Sequence, residues 1–162
     1  MNSVVIYGSH FGNTRQVAEA IAAELGKAGP VQLFAADDAP RELPAGTDLL
    51  VVGGPIEAFH MTKPVSHLLH ELAPETVDGV HFAAFETRVQ PHWYLLGSTA
   101  KGISKGLDKL GGAPIAPPES FLVQGQIDQA QGKVPHLVEG ELEHATRWAA
   151  SLLEALGETV PA

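Results

Sequence analysis

The hydrophobic period of this chain switches repeatedly between short continuous apolar runs and a helical repeat, and that alternation constrains the fold more than any other feature. Val4 to Tyr7, Val31 to Ala35, Leu49 to Val52, Val80 to Phe85 and Ser120 to Val123 have the length and the β-branched or aromatic content of strands. Apolar residues recur every three or four positions in the stretches between them. After Asn13 these are Val17, Ala18, Ile21, Ala22 and Leu25; from Lys63 they are Val65, Leu68, Leu69 and Leu72. Behind Ser98, which can cap a helix, they are Ile103, Leu107 and Leu110, and from Glu139 they are Leu142, Ala145, Trp148, Ala149, Leu152 and Leu153. Glycine and proline punctuate the stretches: Gly26, Gly29-Pro30, Gly53-Gly54-Pro55, Gly111-Gly112, then Gly157 and Pro161. Strands that are apolar throughout are covered on both faces. Five such strands alternating with four helices predict an α/β fold, with a mostly parallel sheet, right-handed crossovers and helices on both faces.

A length of 162 residues suits one domain spanning 1–162, with no linker or internal repeat. Long irregular stretches remain at 53–62, 86–97 and 125–138. Two of them follow strands at their carboxyl ends, where open α/β sheets bind ligands.

Charge and cysteine content narrow the chemistry. The formal net charge is −9, with no run of lysine or arginine. Such a surface repels phosphate backbones and anionic lipid, so neither nucleic acid nor a membrane is the expected partner. Basic protein surfaces suit it better, although acidity also simply keeps a protein soluble. Cysteine is absent, which excludes disulfides, iron–sulfur clusters, thiolate zinc sites and cysteine nucleophiles. The first residues enter an apolar strand without a basic leader or a small-residue cleavage site, and no stretch has the length of a membrane span; the expected location is the cytoplasm.

The segment Gly8-Ser9-His10-Phe11-Gly12-Asn13-Thr14 joins the first strand to the first helix. Backbone N–H groups there converge at the positive end of a helix, a ready site for an anion. Ser9 and Thr14 carry hydroxyl donors, Gly12 permits the positive φ that a loop needs to curl round a phosphate, and Asn13 can cap the helix. The same residues also suit simple capping behind a tight turn. Arg15, in the first helical turn, opposes the helix dipole unless an anion is near, or points sideways into solvent. No lysine follows Gly12 as a Walker loop requires, and Gly8 and Gly12 lack the G-x-G-x-x-G spacing of dinucleotide-binding folds.

Ser9-His10-Phe11-Gly12-Asn13-Thr14 resembles the phosphate loop of flavodoxins, [Ser/Thr]-x-Thr-Gly-x-Thr, and the likeness extends over most of the chain. It implies a flavodoxin-like five-stranded parallel sheet in the order 2-1-3-4-5, of the short-chain type, with FMN at the switch between strands one and three. It further implies that Gly53, Gly54 and Pro55 open a second flavin loop and that Phe85, Glu86, Thr87 and Arg88 open a third. Phe59, Trp93 and Tyr94 fall in the segments from which flavodoxins stack aromatic rings on isoalloxazine. The implied cofactor-binding set is Ser9, His10, Phe11, Gly12, Asn13, Thr14, Gly54, Pro55, Phe59, Glu86, Thr87, Arg88 and Trp93, with no catalytic residue and no metal. Phe11 departs from the pattern: a threonine hydroxyl is missing, a loss of about 1.5–3 kcal/mol unless another donor such as Arg15 or His10 replaces it.

The resemblance implies an electron-transfer flavoprotein that works between a reductase and an acceptor enzyme with basic docking surfaces. An FMN-dependent quinone or nitro reductase, a protoporphyrinogen-type oxidase, and a flavin-free binding module are the alternatives. His10, His60 and His92 fall one in each loop, too irregularly spaced to argue for a metal over anion contact or flavin tuning. Arg88 suits the pyrimidine edge of a flavin, a carboxylate or quinone substrate, or a salt bridge to Glu86 or Glu57.

Overall fold

The computed structural model describes residues 1–57, 60–89, 97–125 and 127–159. In chain order the elements are β1 (Ser3–Tyr7), α1 (Asn13–Leu25), β2 (Val31–Ala35), β3 (Leu49–Glu57), β4 (His60–Met61), α2 (Lys63–Glu71), α3 (Pro74–Val77), β5 (His81–Val89), α4 (Thr99–Lys109), β6 (Ala113–Pro114), β7 (Glu119–Gln124), β8 (His136–Leu137) and α5 (Glu141–Thr159). The sheet runs β2-β1-β3-β5-β7-β8. Its first five strands are mutually parallel and reproduce the expected order 2-1-3-4-5, counted over the expected strands. Three short strands were not anticipated: β8 extends the edge antiparallel to β7, β4 folds back on β3, and β6 adds a short parallel pairing to β5.

Two-residue periodicity divides the core. On one face Val4, Ile6, Leu50, Val52, Phe82 and Ala84 meet Val65 and Leu68 of α2 and Ile103 and Leu107 of α4. On the other, Val5, Leu49, Val51, Ala83, Phe85 and Phe121 meet Val17, Ile21 and Leu25 of α1 and Ala145, Trp148 and Leu152 of α5. Each large side chain buried in this way contributes about 1.5–3 kcal/mol against its exposure in the unfolded chain. Phe85, Phe121 and Trp148 meet edge to face, with ring centroids 5.9–6.1 Å apart. Among the described residues no helix is long and apolar enough to cross a membrane.

Boundaries differ from expectation where tertiary pairing overrides local punctuation. Gly53-Gly54-Pro55 does not end the third strand: β3 continues through it, with Gly53 opposite Phe85, Gly54 opposite Glu86 and Pro55 opposite Thr87. Likewise Glu86, Thr87 and Arg88 are strand residues, paired with Ser120, Phe121 and Leu122 of β7. The glycine at 53 marks a close approach: a Cβ there would lie 2.2 Å from Cζ of Phe85. The short α3 was not anticipated because four residues carry no period. At the far end, α5 passes through Gly157, with Leu152 and Leu156 buried against the sheet side of the helix.

Gly53→Ala is expected to cost about 1–3 kcal/mol by overpacking and to lower Tm by roughly 2–10 °C. Combined with Phe85→Leu the loss should be smaller than the sum of the two, measured by thermal denaturation; strict additivity would show that the ring does not set the glycine requirement.

Candidate functional site

The carboxyl edge of the sheet, where β1 and β3 part from their common start, carries the polar residues that the two-sided core excludes. Gly8 donates its N–H to Gly53 O at 2.9 Å, and the chain then curls from Ser9 to Gly12. Ser9 Oγ accepts from Gly12 N at 3.0 Å and keeps its own proton to donate. Gly12 is the N-cap of α1 at φ 88°, in the left-handed region, and offers no capping side chain. Asn13, which could have capped the helix, is instead its first residue; its Nδ2 donates to Pro135 O at 2.9 Å and ties α1 to the segment after β7. Thr14, fully buried, shares a 2.8 Å hydrogen bond with the Thr87 hydroxyl across to β5. The first turn of α1 contains no acidic residue and Gly12 no capping side chain, so among the described residues its leading N–H groups lack the usual side-chain acceptor.

A cavity of about 390 Å³ opens on this turn, within the range of small-molecule sites. Its polar wall is Ser9, His10, Asn13, Thr14, Thr87 and Arg88; its apolar wall includes Phe11, Pro55, Ile56, Val89, Val123 and Ile127, closed by Pro135. None of the described lining residues is acidic, although the chain carries a net charge of −9. Two of the large apolar side chains at its mouth, Val89 and Ile127, are 43% and 56% exposed.

The edge holds a second helix start, and its electrostatics are the reverse. At α4, Ser98 Oγ caps by accepting from Lys101 N at 3.1 Å. The carboxylate of Glu86, wholly buried, accepts from Ala100 N at 2.9 Å and from Ser98 Oγ at 3.0 Å through Oε2, and from Ser120 Oγ at 2.9 Å and Arg88 Nη1 at 3.0 Å through Oε1. The positive end of α4 is thus supplied with a negative charge from within the fold. Arg88 Nη2 also points toward Gly97 O, at 3.4 Å.

Of the thirteen residues in the implied cofactor set, eight line the cavity: Ser9, His10, Phe11, Asn13, Thr14, Pro55, Thr87 and Arg88. Gly12 shapes the turn beside it. Gly54 faces α2, with Val65 Cγ2 3.1 Å from where its Cβ would be, and Glu86 faces α4; neither lines the cavity. Phe59 and Trp93, with Tyr94 and His92, lie outside the described residues. Of the readings offered for Arg88, the pairing with Glu86 is realised while the guanidinium still forms cavity wall. Arg15 does not replace the hydroxyl missing at Phe11: it is 62% exposed and its Nε donates to Glu19 at 2.8 Å, a contact that raises its pKa above the usual arginine value. Among the described residues no three His, Asp or Glu converge in a way that could hold a metal.

Ile56, Val89, Val123, Ile127 and Pro135 were missed. Ile56 and Val89 were hidden by the assumption that β3 stops at Gly53-Gly54-Pro55 and β5 at Glu86-Thr87-Arg88. The other three flank or lie within 125–138, a stretch whose length alone marked it.

The donor set fits a phosphate group: an uncapped helix start, a left-handed glycine with open space within 4 Å of its Cβ position, the Ser9 hydroxyl, the one proton left over in the Thr14–Thr87 pair and a guanidinium. The apolar wall above it fits a flat, largely apolar ring system.

No curated protein matches the chain. Solved structures do, along nearly its whole length. A flavodoxin from the domain Archaea superposes with a TM-score of 0.75 at 21% identity, covering 97% of this chain and 99% of that one. Oxidised Flavodoxin 1 from Bacillus cereus gives 0.75 at 14% identity, covering 95% and 98%. The rubredoxin oxygen:oxidoreductase of Desulfovibrio gigas gives 0.74 at 16% identity, covering 99% of this chain but 37% of that longer one. At such identities the likeness speaks for the fold. The family model of the flavodoxin domain matches residues 4–112, the stretch that holds β1, the phosphate-type turn, β3 and β5. This chain therefore belongs to the flavodoxin domain family.

Proposed function

We infer that the chain binds FMN at the β1–α1 turn and works as an electron carrier. The observation that carries this reading is the uncapped, acid-free start of α1 opening into a cavity whose described walls hold no carboxylate, in an otherwise acidic protein. Bound FMN would supply one- and two-electron chemistry that no side chain here can perform. The protein's part is to hold and shield it. Backbone N–H groups from Asn13 onward and the Ser9 hydroxyl take the phosphate. Thr14 and Thr87 fix the relative position of α1 and β5. Ile56, Val89, Val123 and Ile127 give the ring an apolar bed that excludes water. Arg88 offers a donor toward its polar edge. The acidic surface suits basic docking faces on a donor reductase and an acceptor enzyme, steering their encounter at a rate that falls with salt.

Titrating the purified protein with FMN should quench flavin fluorescence to a one-to-one end point, and riboflavin, which lacks the phosphate, should bind at least about tenfold more weakly. Equal affinities, or no quenching by FMN, would remove the proposal. Phe11→Thr is expected to widen the FMN-to-riboflavin affinity ratio by about tenfold, the worth of one added hydrogen bond to a charged group. Slow oxidation of NAD(P)H in the presence of a quinone is expected for a carrier; rapid turnover would instead identify a quinone reductase of the same fold.

A further inference from the structure

Glu86 is the most deeply buried charge among the described residues, and it does not line the cavity proposed for FMN. Strand alternation places Glu86 and Arg88 on the α4 side of β5, whereas Phe85 faces the α1–α5 layer and Thr87 meets Thr14. Both carboxylate oxygens are saturated, by donors from β5, β7 and the start of α4. A buried carboxylate so satisfied does not need a cation for hydrogen bonding alone, since Ser98, Ser120 and Ala100 provide three donors. It nevertheless holds the Arg88 guanidinium at 3.0 Å, with the arginine side chain only 9% exposed and part of the cavity wall.

We propose that Glu86 is a positioning residue that fixes the Arg88 guanidinium in the cavity wall as one half of a neutral pair, so that the wall offers N–H donors without a net positive charge. The proposal rests on the FMN reading and deepens it. A lone guanidinium in a poorly solvated wall would favour the negatively charged reduced ring over the neutral oxidised one. Pairing with Glu86 cancels most of that preference while keeping the fork oriented, so the ratio of affinities for the two redox forms is set by the balance within the pair.

The test compares the parent with Glu86→Gln, Arg88→Gln, the double variant, and Arg88→Lys. Dissociation constants for oxidised and dithionite-reduced FMN are measured without oxygen, and Tm is measured on flavin-free protein. Glu86→Gln should shift the affinity ratio about tenfold toward the reduced form and Arg88→Gln should shift it the opposite way. The double variant should return to within about twofold of the parent, and Arg88→Lys should stay within about threefold. Single variants that shift the ratio in one common direction, or a double variant that stays about fivefold or more from the parent ratio, would overturn the proposal, because mere loosening of the wall predicts that pattern. In flavin-free protein each single variant should lower Tm by about 10 °C and the double by clearly less than their sum. Additive losses there would show that Glu86 does not hold Arg88, whether or not FMN binds. A parent that ignores FMN while its Tm cycle remains coupled would overturn the cofactor reading and the redox consequence, and would uphold the positioning itself. Should Glu86→Gln not fold, the opposed behaviour of Arg88→Gln and Arg88→Lys still decides.

Discussion

Covering a parallel sheet on both faces leaves its polar business to the edges, and this constraint organises the molecule. Along β1, β3 and β5 every residue through the middle of the sheet is apolar, because α1 and α5 close one face while α2 and α4 close the other. Apart from Ser3 at the start of β1, the buried polar side chains of these strands lie where the strands outrun the helices, at their carboxyl ends. There Ser9 and Thr14 of the first crossover gather with Glu86, Thr87 and Arg88 of β5, and the last four must find partners because they are still largely inside.

How they find them separates two helix starts that would otherwise be equivalent. Both α1 and α4 begin at this edge, and each presents unpaired N–H groups and a partial positive charge. At α4 the fold supplies its own anion in Glu86, backed by a Ser98 cap. At α1 it supplies a left-handed glycine and no acid. An external anion therefore meets competition at one, whereas among the described residues no side-chain cap or first-turn acid competes at the other. The same carboxylate that closes α4 also holds Arg88, so charge balance at the cavity and capping of a neighbouring helix are one interaction.

Much of the fold was legible in the residues, since burial patterns repeat with secondary-structure period. Val31 to Ala35 and Asn13 to Leu25 match the observed elements, and the strand order follows from the resemblance carried by the turn after β1. What misled was local punctuation. Gly53-Gly54-Pro55 has the composition of a turn, yet it is strand because Phe85 of β5 needs the room that a missing Cβ leaves. Polar Glu86, Thr87 and Arg88 read as a loop opening, yet β7 pairs with all three.

The amino-acid sequence by itself determined the alternating layers and the glycine-bearing turn between β1 and α1, because each depends on neighbours along the chain. Only the tertiary structure decided which carboxyl-edge residues face the cavity. Asn13 reaches Pro135, Thr14 reaches Thr87, and Glu86 reaches Ser98, Ala100 and Ser120, pairings that span up to 122 positions of sequence. Short-range periodicity contains no term for such contacts. They arise when a buried donor or acceptor must be satisfied by whatever the packing brings within about 3 Å.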